Sequence, residues 1–192
     1  MLLYDIINVM KRRLFIAVSL PDDALNLVEN ELNALTPRFP NSIRFIPREN
    51  WHTTLLFLGD QDESEIARIR EAMDEVFREF GWEQISFDSI LYGPTHHTPR
   101  MLWWNATEST SKNLGVVRDL LARALEKRGV QWEHENRPYH GHVTLARLDE
   151  PPQDTTLFVS VPASSNEYSV GLFASELSPD GARYSLLYSL EK

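Results

Sequence analysis

Residues 13–20 are almost continuously apolar and rich in β-branched side chains, which predicts a central strand. Pro21, Asp22 and Asp23 then open a helix, because proline suits a first turn and acids suit its positive end. Leu25, Val28, Leu32 and Leu35 recur at helical spacing, and Thr36-Pro37 ends the run. Residues 43–46 read as a short strand stopped by Pro47, and a longer strand runs from Trp51 to Gly59-Asp60. Ser64 is placed to cap a second helix with its stripe at Ile66, Ile69, Met73, Val76, Phe77 and Phe80, and Gly81 is its stop. Strands at 87–92 and 100–105 flank the loop GPTHHTP. A third helix starts at Thr110 or Ser111, turns Leu114, Val117, Leu121 and Leu125 inward and ends at Gly129. After it come a strand around residue 144, then strands at 155–161, 167–177 and 183–190, the last two joined by the turn 178–181. This order predicts an α+β fold with helices outside antiparallel or mixed sheets.

Two of the strands share a motif. Trp51 to Gly59 reads WHTTLLFLG, and His140 to Arg147 reads HGHVTLAR. His-x-Thr-Leu recurs as His52, Thr54, Leu55 and as His142, Thr144, Leu145. Side chains alternate along a strand, so each histidine shares a face with the threonine two residues on. Two such strands related across a cleft would present two imidazole–hydroxyl pairs to one space.

Composition narrows the chemistry. The chain has 192 residues and 42% hydrophobic content, enough for one ordinary domain. No linker or low-complexity stretch divides residues 11–192. Met10, followed by Lys-Arg-Arg, reads as an alternative start, so residues 1–10 are expected to be a flexible extension. There is no cysteine, which excludes disulfides and thiolate metal sites. The net charge of −9 argues against broad wrapping of nucleic acid but permits a pocket for one phosphate. No apolar run approaches the roughly 20 residues of a membrane helix, and no cleavable leader is legible, so a cytoplasmic protein is expected.

Two histidines across a cleft suit paired proton transfer, one as base and one as acid. A tetrahedral phosphate uses that symmetry, since one oxygen enters as another leaves. A competing reading clamps a metal between His52, His140 and His142; against it, metal sites seldom set a threonine beside each ligand. His96, His97 and His134 read as exposed residues. Arg44, Arg48, Arg100 and Arg137 form either a basic rim or scattered solubilising charges. Trp103-Trp104 on one strand would leave one ring exposed, for a partner or a base.

LFIAVSLP, RENWHTTLLFLG and RPYHGHVTLAR together resemble the two-histidine (2H) phosphoesterase superfamily. The resemblance is to its RNA 2′,3′-cyclic phosphodiesterases, also called 2′-5′ RNA ligases, and covers about residue 12 to the C-terminus. It implies a bilobal α+β fold with two sheets around a central cleft, no cofactor and no metal. It implies hydrolysis of a 2′,3′-cyclic phosphate at an RNA or nucleotide end to a 2′-phosphate, with ligation also open. In that scheme His142 accepts a proton, His52 donates one, Thr54 and Thr144 hold phosphate oxygens, and Arg147 binds the phosphate. An ideal strand would point Arg147 away from His142, so a bulge is needed. Tyr139 either stacks on a base or packs. A non-catalytic module that binds the same RNA end is the alternative. A monomer is expected. Two positions depart from the family pattern: Gly141 stands where proline is common, and Thr53 where an apolar residue is common.

Overall fold

A computed structural model describes residues 11–39, 43–80, 83–134, 137–178 and 181–191. The expected extension at 1–10, the Gly81 stop and the centre of the 178–181 turn lie outside the described residues. Nine strands and three α-helices are described: β1 (Lys11–Ser19), α1 (Asp22–Leu35), β2 (Ile43–Phe45), β3 (Thr53–Asp62), α2 (Glu65–Glu79), β4 (Ile85–Gly93), β5 (Met101–Ala106), α3 (Glu108–Lys127), β6 (His142–Leu148), β7 (Phe158–Ser165), β8 (Ser169–Ser178) and β9 (Gly181–Glu191). They form two sheets, in the orders β3-β1-β8-β9 and β2-β6-β5-β4-β7. Every described pairing is antiparallel.

The apolar run of β1 explains its central place. Leu14, Ile16 and Val18 join the core behind the first sheet, while Phe15 and Ala17 on the other face are buried too. Both sheets share one hydrophobic cluster. The helices cross between them: α1 follows β1 of the first sheet but packs on β7 of the second, and α3 follows β5 of the second but packs on β3 of the first. These exchanges tie the sheets together behind the cleft.

The third helix begins earlier than the pattern predicts. Thr107 is its cap, accepting from the Thr110 N–H at 3.3 Å. Thr110 and Ser111 lie inside the helix and are buried, and each hydroxyl ties a strand end to it. The Ser86 N–H donates to Thr110 Oγ1 at 2.8 Å, and the Gly141 N–H donates to Ser111 Oγ at 3.1 Å. Trp103 and Trp104 are both buried, at 6% and 0% exposure, so neither ring is the exposed face expected of the pair.

Candidate active site

The two motifs lie on different sheets. His52 stands one residue before β3, and His142 opens β6. Each imidazole is fixed in the same way, by the carbonyl two residues earlier. His52 Nδ1 lies 2.7 Å from the Asn50 oxygen, and His142 Nδ1 lies 2.9 Å from the His140 oxygen. A carbonyl only accepts, so both Nδ1 atoms carry the proton and the neutral rings keep a lone pair on Nε2. His52 Nε2 meets Thr54 Oγ1 at 3.0 Å.

Each ring has an aromatic bed. His142 stacks on Trp103 with centroids 3.8 Å apart and planes 22° apart. Trp103 can lie there because Gly93, diagonal to it on β4, has no side chain: an added Cβ would fall 2.1 Å from the indole. His52 leans on Phe15 at 5.0 Å and meets the edge of Tyr184 at 5.3 Å. Burial lowers the pKa of His52, against the opposing effect of its bond to Asn50. Burial also drives His142 down, to about 4. The His140 carbonyl opposes that shift, and the charges of His140, Arg137 and His52 add to it. His52 and His142 are therefore within electrostatic reach of each other. Tyr139 closes the same gap, donating its hydroxyl to the Thr54 carbonyl at 2.9 Å.

The bulge that Arg147 needs is present. The β5–β6 register pairs Trp103 with Thr144 and Leu102 with Ala146, which leaves Leu145 unmatched. Arg147, opposite Met101, thereby shares the face of Thr144, Trp103 and His142. Its charge reaches across to Tyr184 on the other sheet, where burial is the larger influence and raises the phenol.

Other expected residues fall elsewhere. The Tyr139 ring packs against α3, with Arg118 over it and Gly115 alongside. Arg48 is no rim cation: it bonds Glu29 at 2.6 Å and Asp22 at 2.9 Å. Arg44 pairs with Asp149 at 3.1 Å, and the charge of Arg137 bears on His142. His140 Nε2 lies 2.6 Å from Asn105 Oδ1, and the His140 ring is 6.2 Å from that of His142 between centroids. Among the described residues, no group of three or more His, Asp or Glu could hold a metal ion. His96 and His97 are exposed, as is His134, which stacks on Trp132. Sequence reasoning missed Trp103 as the bed of His142, and Phe15 and Tyr184 beside His52. Only the strand pairing shows that Trp103 lies opposite the second motif.

A family model described as LigT-like phosphoesterase matches residues 20–103. An RNA 2′,3′-cyclic phosphodiesterase of Archaeoglobus fulgidus is 31% identical over 137 residues, covering 71% of this chain and 72% of that protein. One of Thermus thermophilus is 30% identical over 183 residues, covering 91% and 87%. A solved structure from Thermus thermophilus superposes with a TM-score of 0.72 at 26% identity, covering 93% of this chain and 97% of that one. Escherichia coli LigT crystallised with 3′-AMP has the same fold, with a TM-score of 0.71 at 21% identity over 95% and 98% of the two chains. No described helix is long and apolar enough to cross a membrane.

Proposed function

The chain belongs to the LigT-like phosphoesterases of the two-histidine superfamily, and we propose that it hydrolyses a 2′,3′-cyclic phosphate at an RNA or nucleotide end. The observation that carries this is the matched pair of imidazoles on two sheets, each held through Nδ1 by the carbonyl two residues before it. The more strongly depressed ring stays neutral over the widest pH range, so His142 takes the proton of the attacking water. As the new P–O bond forms, the bond from phosphorus to the 3′ oxygen breaks, and protonated His52 supplies that oxygen with a proton. The product is a 2′-phosphate, and solvent returns the proton from His142 to His52. Thr54 and Thr144 donate to the non-bridging oxygens, and Arg147 holds the phosphate charge. Tyr139 acts by positioning, because its hydroxyl pins the first motif strand. The set of nitrogen and hydroxyl donors supports acid–base work without a metal. The protein acts in this reading as a monomer in the cytoplasm.

The test is product analysis on an oligonucleotide bearing a cyclic end. A 2′-phosphate product is expected, insensitive to chelator. His52→Ala and His142→Ala should each lower kcat by about 10²–10⁴-fold while remaining folded. Tight binding with no turnover by the wild type would instead favour the non-catalytic module.

A further inference from the structure

The two motif strands are alike beyond their shared letters. β3 leaves Leu55 unmatched against β1, just as β6 leaves Leu145 unmatched against β5. The likeness also extends backwards, to the residue two before each histidine, which is Asn50 in the first motif and His140 in the second. Each gives its carbonyl to the histidine's Nδ1, and each also turns its side chain to another strand. Asn50 Nδ2 donates to the Ala182 carbonyl on β9 at 3.0 Å. His140 Nε2 lies 2.6 Å from Asn105 Oδ1 on β5. Asn105 points its amide nitrogen at the Ala106 carbonyl at 3.0 Å, so its oxygen is left to accept and His140 Nε2 is the donor.

These ties reach well beyond the local chain, to partners 132 and 35 positions away. Asn50 ends a 3₁₀ turn, Arg48–Asn50, on the segment that carries the chain from β2 of the second sheet to β3 of the first. β9 is the opposite edge of the first sheet from β3, so no ladder bond of β3 makes this connection. His140 stands on the loop that leaves α3 and enters β6 beside Asn105, the ladder partner of His142. In both places the peptide that presents the carbonyl is held at its other end as well. The Trp51 N–H donates to the Arg48 carbonyl at 3.0 Å, and the Gly141 N–H donates to Ser111 Oγ at 3.1 Å. Those bonds set the tilt of each peptide plane, and the side-chain ties set where the plane stands relative to the cleft.

We propose that the side chains of Asn50 and His140 are positioning residues, which anchor the carbonyls that hold His52 and His142 with the proton on Nδ1. Without its anchor a carbonyl can swing away, and the freed neutral imidazole can carry its proton on Nε2 instead. For His142 that form has no lone pair on Nε2 to take the proton of the water. For His52 a ring without its acceptor can rotate, and its Nε2 proton then no longer faces the leaving oxygen. Misplacement by about 1 Å is enough to cost about 10²-fold in rate. His140 donates from Nε2 whether its ring is neutral or charged, so its tie survives its own titration.

This inference rests on the cyclic-phosphate reading, and its test separates the two. In Asn50→Ala and in His140→Ala, kcat on a 2′,3′-cyclic mononucleotide should fall roughly tenfold or more, with KM little changed. His140→Gln keeps a donor for Asn105 and should recover most of the loss. Asn105→Ala should match His140→Ala, and the double variant should lose no more than either alone, because the same bond is removed in all three. Nitrogen–proton NMR of the imidazoles at about pH 8, where both rings are neutral, reads the tautomers without turnover. The wild type should show the proton on Nδ1 of both rings. His140→Ala should move His142 toward a mixture and leave His52 alone, and Asn50→Ala should do the reverse. Unmoved tautomers, or losses confined to KM or to the denaturant midpoint, would overturn the positioning role. Failure of the wild type to hydrolyse the cyclic substrate would overturn the reaction, while the tautomers would still decide the anchors.

Discussion

At the scale of single residues, two departures from the family pattern have opposite consequences. Thr53 faces the core, 1% exposed, and its hydroxyl finds no hydrogen-bond partner among the described residues. Valine has nearly the same shape and removes the orphaned group, so Thr53→Val should stabilise the fold by about 1–3 kcal/mol, read from the denaturant midpoint. A lower midpoint would show that the hydroxyl is satisfied after all. Gly141 is different. It is buried, its N–H donates to Ser111, and an added Cβ would meet Ala106 at 3.0 Å and Ser111 Oγ at 3.2 Å. Proline there would gain at most about 1 kcal/mol from the unfolded chain. It would lose a buried donor worth about 1–3 kcal/mol and crowd the helix. Gly141→Pro is thus expected to lower stability, although relatives commonly hold proline at this point. A neutral or raised midpoint would refute the role assigned to Ser111.

At the scale of elements, alternation along a strand is enough to pair His52 with Thr54 and His142 with Thr144, because period two needs no tertiary information. The bulges are not legible. No residue type marks Leu55 or Leu145 as unmatched, and the odd offset of Arg147 says only that a bulge is required. The Trp103 bed is hidden for a related reason: its partner lies on another strand, and burial of both tryptophans looks the same in sequence as exposure of one. The pattern misplaces the start of α3 because Thr107, Thr110 and Ser111 are all good caps in isolation, and only the first is spared by the packing of the others. The bed itself can be tested. In Gly93→Ala the new methyl group must displace the Trp103 ring, and with it the covering that dries His142. The His142 titration, followed by NMR of the imidazole Cε1–H, should move from about 4 toward the ordinary 6.5, and turnover should fall. An unmoved titration would mean that the desolvation comes from elsewhere in the cleft.

At the scale of the whole molecule, the depressed imidazoles of His52, His140 and His142 tie stability to pH. Burial lowers all three in the folded protein, relative to about 6.5 in the unfolded chain. Between about 4 and 6.5 the unfolded state therefore binds more protons than the folded one. Stability is fully present above 6.5 and is lost as pH falls through that window. The carboxylates with lowered values, Glu75 and Asp154, start from 4.5 and 3.8, so their contribution is lost at more acid pH than that of the histidines. The interval from pH 7 to pH 5 isolates the imidazoles. Over it the wild-type Tm should fall, and His142→Asn, which cannot titrate, should fall less. In the proposed mechanism two of these groups, His52 and His142, bound the activity in the opposite sense. In that mechanism His142 must be neutral and His52 protonated, so kcat/KM should peak on the acid side of 6.5 and above about 4. Phosphate bound between the rings favours the protonated acid, so the alkaline limb of kcat should lie above that of kcat/KM. The protein would then work best where its fold has already given up part of its margin. An optimum above pH 7.5 for kcat/KM, or equal Tm losses in wild type and His142→Asn, would break the link between burial of the rings and their chemistry.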